Sequence, residues 1–280
     1  MKIWITWANW QLWKIVVELL KEKVSVNNII PLVRNIESYS DKTLPVRKFD
    51  YNNINDIEQW LEGIDVLLLI SGSEMWKRLQ QHKDIISQAK KAGVKRIIYT
   101  SLLYADTSTL PMAWEHLETE NFIKSLDMNY TILRNGWYNE NYTQSIPWAI
   151  SSWIYIWSAW EWRISSASRR DFAKAWVEVI LWDNHDYKTY ELAWDNSYSL
   201  QELVNLVNKI TDKNIIYKNL DVNEYTNMLT SFWIPQEFAT ILAECDLKVS
   251  ENQLYSNSKD LHFLINWATT DILESIKEII

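Results

Sequence analysis

Short apolar runs alternate with amphipathic stretches along the first half of the chain. The run at 66–70 is continuously apolar, as in a strand that is buried on both faces. By contrast, Leu12, Ile15, Val16 and Leu19 follow the spacing of a helix face. Strands are predicted at 2–6, 29–33, 44–49, 66–70, 96–100 and 130–133, and helices at 11–23, 54–61, 79–92 and 113–125. This alternation predicts crossover connections and therefore an α/β fold with a doubly wound parallel sheet.

The alternation becomes looser after about residue 141. The predicted elements there are helices at 171–181, 200–210, 222–229 and 236–242, strands at 187–192 and up to 217, and a final helix from 271. We therefore expect a sheet domain at 1–150 and a smaller C-terminal α/β lobe at 151–280, partly interleaved with it. Such a lobe commonly closes over a ligand at the strand ends.

Composition narrows the classes of protein. The formal net charge is -8 at pH 7, so the surface repels phosphate backbones and no nucleic-acid partner is expected. Cys245 is the single cysteine, which excludes an internal disulfide and is typical of a reducing, cytoplasmic compartment. The N-terminal run lacks a signal-peptide pattern, and no apolar run reaches the roughly 18 residues of a membrane span. No metal is expected, because no cluster has metal-ligand spacing.

Tryptophan and glycine occur in abnormal numbers. The chain has 18 Trp and 4 Gly, whereas an average protein of this length has roughly 20 glycines. Turns often need a positive φ, which Gly adopts freely and Trp adopts only at a cost. Many of the tryptophans nevertheless stand where a turn or the end of an element is predicted: Trp7, Trp10, Trp13, Trp157, Trp160, Trp162, Trp182 and Trp194.

The segment from Ile5 to Trp13 has the spacing of a dinucleotide-binding turn between a strand and a helix. Such a turn needs small residues for the tight bend, for the approach of the backbone to a pyrophosphate, and for packing of the helix on the strand. Trp7, Trp10 and Trp13 occupy these three places. The alternative is an ordinary turn that carries aromatic residues, which the steric cost of three regularly spaced indoles disfavours.

Three motifs carry a resemblance to a known family. They are Tyr-Thr-Ser-Leu-Leu-Tyr-Ala-Asp-Thr at 99–107, Glu-His-Leu-Glu-Thr-Glu at 115–120 and Leu-Arg-Asn-Gly-Trp-Tyr-Asn-Glu-Asn-Tyr at 133–142. With these motifs the chain resembles the NmrA-like atypical short-chain dehydrogenases, in particular the type 2 NAD(P)H:quinone oxidoreductases. The resemblance spans most of the chain, more weakly after about residue 200, and implies a Rossmann-like, NAD(P)-binding sheet domain. The family has Gly where this chain has Trp7, Trp10 and Trp13, whereas Trp137 matches a family Trp.

The resemblance implies an enzyme that reduces a quinone-like acceptor by hydride transfer from NADPH. Arg34 follows the second strand and would bind the 2′-phosphate, since an acidic residue there would instead favour the unphosphorylated ribose. The implied cofactor-binding residues are Trp7, Ala8, Asn9, Trp10, Gln11, Leu12, Arg34, Ser71, Gly72, Ser73, Ser101 and Arg169. The alternative is a non-catalytic redox sensor that binds NADP(H) and regulates a protein partner. A homodimer is among the assemblies left open.

Catalytic residues are expected on the helix at 113–125 and in the loop that follows the strand at 130–133. The chain lacks the Tyr-x-x-x-Lys pair of ordinary short-chain dehydrogenases, but His116 and Glu120 share a helix face, and His116 could donate a proton or bind the nicotinamide ribose. With His116, the resemblance implies Asn135 and Tyr138 as catalytic residues. It also implies an acceptor-binding loop made of Gly136, Trp137, Tyr138, Asn139, Glu140 and Asn141.

Each of these assignments has a structural alternative. Arg34 and Arg169 could be solvated surface residues. His116 could be a packing residue of its helix. The segment 71–73 could be an ordinary turn, and the loop at 135–142 could simply bury aromatic surface.

We hypothesise that most of the tryptophans are glycines in the natural protein. Some bacterial lineages translate UGA as Gly and others as Trp, so a gene of the first kind translated by the second table would give this pattern. Gly63, Gly72, Gly93 and Gly136 would then derive from ordinary glycine codons. UGG codons at positions 7, 10 and 13 would contradict the hypothesis. The alternative is a deliberately substituted sequence that keeps the fold and loses the ligand.

Overall fold

The computed structural model describes residues 1–6, 11–53 and 61–280. Trp7, Ala8, Asn9 and Trp10 of the predicted cofactor turn lie outside the described residues, and so does the predicted helix at 54–61 except for its last residue. The chain divides into two compact units. Unit 1 comprises 1–106, 114–135 and 169–192, and unit 2 comprises 107–113, 136–168 and 193–280. Each unit is thus assembled from separate segments, whereas the sequence predicted a boundary near residue 150 together with a second lobe partly interleaved with the first.

The described strands are short and rich in Ile, Val and Leu. They are β1 (Ile3–Ile5), β2 (Ile29–Val33), β3 (Arg47–Lys48), β4 (Val66–Leu69), β5 (Arg96–Leu102), β6 (Asn129–Asn135), β7 (Ile154–Trp157), β8 (Lys188–Leu192) and β9 (Ile216–Asn219). In unit 1, seven of them form one sheet in the order β3-β2-β1-β4-β5-β6-β8, and all neighbours are parallel. Its central strands β1, β2, β4 and β5 are buried along their whole length, on both faces, because helices flank the sheet. The predicted Rossmann-like fold is confirmed.

The helices of the described residues agree with most of the predicted ones. They are α1 (Gln11–Lys21), α2 (Arg78–Lys91), α3 (Ala113–Lys124), α4 (Asn139–Thr143), α5 (Ile146–Ser152), α6 (Arg169–Leu181), α7 (Leu200–Thr211), α8 (Val222–Ser231), α9 (Gln236–Leu247), α10 (Asp260–Ile265) and α11 (Ile272–Lys277). The pattern missed α4, α5, α10 and strand β7, because elements of one or two turns or a few residues are too short to show a period.

The direction in which strands are added reverses between β1 and β4. From β1 the sheet extends through β2 and β3 on one side, and through β4, β5, β6 and β8 on the other. In a doubly wound sheet, ligands bind outside the carboxyl ends of the strands at such a reversal. The segments that leave β1 and β4 therefore flank the expected binding position, and the segment after β4 is fully described at residues 70–73.

Unit 2 contains the parallel pair β7 and β9, with several short helices. Asp246 is buried in this unit, where burial raises the pKa of its carboxyl to about 7. Among the residues described, no helix combines the length and hydropathy of a membrane span. The same residues hold no group of three His, Cys, Asp or Glu side chains that could bind a metal ion.

Among the described residues, four tryptophans adopt the left-handed backbone conformation. Their φ angles are 68° at Trp76, 66° at Trp153, 51° at Trp160 and 66° at Trp233. A side chain with a Cβ is strained in this region, whereas glycine is not. All four indoles are also exposed, so little packing offsets the strain. These are backbone positions at which glycine is the expected residue, which is consistent with the hypothesis that many of the tryptophans are natural glycines.

Candidate functional site

Side chains from four other parts of the chain hold the backbone of residues 70–72 at the carboxyl end of β4. The amide of Ile70 donates to Thr6 Oγ1 at 2.9 Å, and its carbonyl accepts from the Tyr51 hydroxyl at 2.8 Å. The amide of Ser71 donates to Thr100 Oγ1 at 3.0 Å. These bonds fix the course of the chain just beyond the strand, where the predicted cofactor-binding residues Ser71, Gly72 and Ser73 lie.

The third amide of this segment, that of Gly72, donates to His82 Nε2 at 3.0 Å. The His82 ring is fully buried, and its Nδ1 lies 3.1 Å from Thr119 Oγ1. Burial, and then the nearby charge of Arg78, lower the pKa of His82 to about 3. His82 is therefore neutral at physiological pH.

His116, a predicted catalytic residue, is buried in the same network. Its Nε2 lies 3.1 Å from Arg78 Nη1, and its Nδ1 lies 2.9 Å from the Tyr99 hydroxyl. A guanidinium only donates, so Nε2 must accept and the single ring proton must be on Nδ1, facing Tyr99. Burial lowers the pKa of His116 well below its ordinary value. In this geometry His116 presents no proton to a ligand, which departs from the expectation that it acts as an acid.

Ser101, a predicted cofactor-binding residue, is oriented by a buried carboxylate. Its hydroxyl donates to Glu120 Oε1 at 2.6 Å. Both oxygens of Glu120 also accept from the Arg134 guanidinium, from Nε and from Nη2, each at 2.9 Å. Arg134 Nη1 reaches Glu191 Oε1 at 2.7 Å. Such bidentate pairs fix geometry as well as charge, so Ser101 belongs to a rigid polar cluster beside the end of β5.

Arg34 follows β2 at the same edge of the sheet and is half-exposed. Its Nη2 lies 3.1 Å from Glu74 Oε1, and its Nε lies 3.8 Å from Asp50 Oδ1. Glu74 Oε1 also accepts from Asn52 Nδ2 at 3.2 Å. The guanidinium is thus held by carboxylates beside the segment that follows β4, and its assignment to the 2′-phosphate stays a prediction.

The start of α1 brings two further predicted residues together. Arg169 Nη1 donates to Gln11 Oε1 at 2.8 Å, although the two residues are far apart in the sequence. Leu12, which follows Gln11 in the chain, is buried. Trp13 is also buried, its ring meets Tyr39 edge-on at 5.4 Å between centroids, and its indole N–H has no hydrogen-bond partner among the described residues.

The remaining predicted residues divide between the units. Asn135 ends β6 in unit 1, where its Oδ1 accepts from Trp176 Nε1 at 3.2 Å. In unit 2, Asn139 is buried and donates to Ser275 Oγ at 3.0 Å. Tyr138 is half-buried and precedes α4, and its backbone pairs with Ala167. The other residues of the predicted acceptor loop, Gly136, Trp137, Glu140 and Asn141, are also in unit 2.

Sequence reasoning missed Thr6, Tyr51, His82 and Thr119. His82 had a visible signal, because it shares one helix face with Ile85, Ile86 and Ala89. A histidine on an apolar stripe predicts a buried ring, and a buried ring requires partners. The two threonines and the tyrosine gave no comparable signal, since only the folded sheet brings them to residues 70–72.

Comparisons with known proteins identify the family of this chain. A model of the family described as NAD(P)H-binding matches residues 14–181. The chain is 40% identical to quinone oxidoreductase 2 of Escherichia coli (strain K12) over 278 residues, which cover 98% of this chain and 97% of that protein.

Two solved structures extend the comparison. The Escherichia coli NADPH-dependent quinone oxidoreductase complexed with NADPH is 40% identical, covers 99% of each chain and superposes with a TM-score of 0.93. The Citrobacter sp. triphenylmethane reductase complexed with NADP(H) is 29% identical, covers 100% of each chain and gives a TM-score of 0.95.

Proposed function

The chain belongs to the NAD(P)H-binding family, in its NmrA-like group, and from this premise we propose that it is an oxidoreductase that transfers hydride from NADPH to a quinone. The observation that carries the proposal is the similarity, over nearly the whole of both chains, to an NADPH-dependent quinone oxidoreductase. No comparable observation favours the alternative of a redox sensor without turnover.

The described residues suit a phosphorylated dinucleotide. Ser71 and Ser73 are at least partly exposed beside the reversal of strand order, where such a ligand is expected. Arg34 supplies a positive charge at the end of β2, and a guanidinium matches the geometry of a phosphate. We assign the pyrophosphate to the turn of Trp7, Ala8, Asn9 and Trp10 with Gln11 and Leu12, and further cofactor contacts to Gly72, Ser101 and Arg169.

Bound NADPH would supply a hydride, and a quinone that takes up this hydride and one proton becomes a hydroquinone. The chain's residues bind and orient the two reactants. We propose that Asn135 and Tyr138 orient the acceptor by hydrogen bonds, and that the loop of Gly136, Trp137, Tyr138, Asn139, Glu140 and Asn141 binds its flat ring. His116 keeps a supporting role through Tyr99 and Arg78, since its ring nitrogens face these two residues.

The test is NADPH oxidation, followed by absorbance, with 1,4-benzoquinone as the acceptor. We expect oxidation to depend on both quinone and enzyme and to yield hydroquinone. NADPH binding without any quinone-dependent oxidation would contradict the reductase and favour the sensor. The Tyr138→Phe variant, which keeps the ring and loses the hydroxyl, should raise the KM for benzoquinone more than the KM for NADPH.

A further inference from the structure

The hydrogen bond from the Gly72 amide determines which ring nitrogen of His82 carries the proton. An amide only donates, so His82 Nε2, 3.0 Å away, must accept. The ring proton is then on Nδ1, and it points to Thr119 Oγ1 at 3.1 Å. The Thr119 hydroxyl in turn donates to the carbonyl of Glu115 at 2.7 Å. Every partner in this row therefore has one defined role, and the imidazole is held in a single neutral tautomer.

This row connects the interior of α2 and α3 to the segment that leaves β4. Gly72, His82 and Thr119 are all buried, so water does not compete for these bonds. The neighbouring amides of Ile70 and Ser71 are bonded to Thr6 and Thr100. His82 supplies the last of three consecutive anchors and the one farthest from the strand, where the sheet itself no longer constrains the backbone.

We propose that His82 is a positioning residue for the cofactor: its neutral imidazole holds the Gly72 amide and thereby fixes residues 71–73 in the conformation that binds NADPH. The proposal rests on the proposed function, because it places the cofactor at this edge of the sheet. A preorganised segment does not lose conformational freedom on binding, so its loosening weakens affinity. His82 does not contact the reacting atoms, so the hydride-transfer rate at saturation should change little.

Three variants separate this role from a general effect on stability. His82→Leu removes the acceptor and leaves the Gly72 amide unpaired. His82→Gln keeps an acceptor oxygen on a flexible side chain. His185→Leu is the matched control, since it removes another buried imidazole of unit 1, and that ring bonds to the Tyr190 hydroxyl rather than to His82 or residues 70–73.

Two measurements are made on each variant: amide hydrogen exchange of Gly72 in the cofactor-free protein, and titration with NADPH. We expect His82→Leu to speed exchange at Gly72 at least tenfold and to raise the Kd for NADPH about tenfold, which is about 1.4 kcal/mol. The kcat with benzoquinone should stay within twofold. His82→Gln should recover most of both losses, and His185→Leu should leave exchange at Gly72 and the Kd within twofold of the unaltered protein.

Unchanged exchange at Gly72, an unchanged Kd, or a fall in kcat with an unchanged Kd would each overturn the positioning role. If His82→Leu does not fold, Thr119→Val takes its place, because it removes the acceptor that fixes the tautomer. It should speed Gly72 exchange and weaken NADPH about threefold, and no change would overturn the proposal. An unaltered protein that binds NADPH in a His82-dependent way without reducing benzoquinone would refute the reductase alone. A chain with glycine at positions 7, 10 and 13 that still binds no NADPH would overturn both.

Discussion

The two segments that begin beside the reversal of strand order are built in opposite ways. After β4, small residues follow one another, and the amides of residues 70–72 are each bonded to a side chain from elsewhere in unit 1. In the first turn of α1, Trp13 is buried and its indole N–H has no partner among the described residues. Trp4, within β1, is also buried, and its indole N–H likewise has no hydrogen-bond partner in the part of the chain that the structure describes.

This difference concerns the pairing of buried donors on the two sides of the proposed cofactor site. Folded proteins rarely leave buried donors unpaired, because each one costs about 1–3 kcal/mol. On the β4 side, the amides of residues 70–72 are satisfied by buried side chains of unit 1. On the β1 side, the chain has tryptophans at the positions where a dinucleotide-binding turn has glycines. The contrast is what the hypothesis of misread glycine codons predicts.

Replacing Trp7, Trp10 and Trp13 together by Gly should produce the largest effect. An indole at position 10 would occupy the volume of the pyrophosphate, and overpacking at position 13 typically costs about 1–3 kcal/mol. We expect the glycine variant to bind NADPH roughly 100-fold or more tightly than the unaltered chain, at tenfold per 1.4 kcal/mol. Calorimetric titration of both proteins measures the ratio. A difference of less than about tenfold would remove this turn from the cofactor site.

Lowering the pH should reduce the free energy of unfolding of the unaltered protein more than that of the His82→Gln variant. The pKa of His82 is lowered from its ordinary value of 6.5 to about 3 in the folded chain. Between these two pH values the unfolded chain therefore binds more protons than the folded chain. Stability from this group is therefore complete above about pH 6.5 and is lost as the pH falls. Between pH 7 and pH 5 the unaltered protein should lose about 2 kcal/mol more than the variant.

Urea unfolding at several pH values measures this difference. The comparison with the variant is needed because Asp246, whose pKa is raised to about 7, shifts the free energy of unfolding in the opposite direction over the same range. That contribution is common to both proteins and cancels. Parallel stability curves would show that His82 titrates normally and that the β4 side is not held as described.

Arg34→Ala should weaken NADPH binding about tenfold, which is about 1.4 kcal/mol, and leave NADH nearly unchanged. The reason is that only NADPH carries the 2′-phosphate that the guanidinium would bind. Arg170→Ala is the matched control, since Arg170 is an exposed arginine outside the assigned site. Fluorescence titration with each cofactor distinguishes the outcomes. Equal losses for NADPH and NADH would show instead that Arg34 stabilises the segment around Glu74 and does not bind the 2′-phosphate.

Trp233→Gly should give the smallest effect, a gain of about 1 kcal/mol in the free energy of unfolding. The φ of Trp233 is 66° and its side chain is 95% exposed, so glycine relieves strain and sacrifices little packing. Trp182→Gly is the control, because Trp182 is also exposed but has a φ of -122°. Thermal unfolding of the two variants gives the comparison. An equal change in stability at both positions would show that the backbone at Trp233 does not require glycine.

The sequence predicted the sheet, its strands and most of its helices because burial imposes a local period on the chain. The run at 66–70 and the helix from Gln11 show this most directly. The motifs at 99–107 and 133–142 predicted the family and, with Arg34 after the second strand, the class of cofactor. The same local reasoning selected His116 as the active histidine and passed over His82, because a sequence pattern places a residue on a face but not beside its partner.

Only the tertiary structure decided which side chains hold the segment after β4. Thr6 and Ile70 are 64 positions apart, and Tyr99 meets a histidine of each of the two helices. Hydrogen bonds between such residues depend on the register of the sheet and the packing of helices, which no local period encodes. The tautomer of His82 follows from the same packing, since an amide on one side and a threonine hydroxyl on the other determine where its proton lies. The chain's amino acids thus determined the fold and the kind of ligand, and the folded sheet determined the geometry that would receive it.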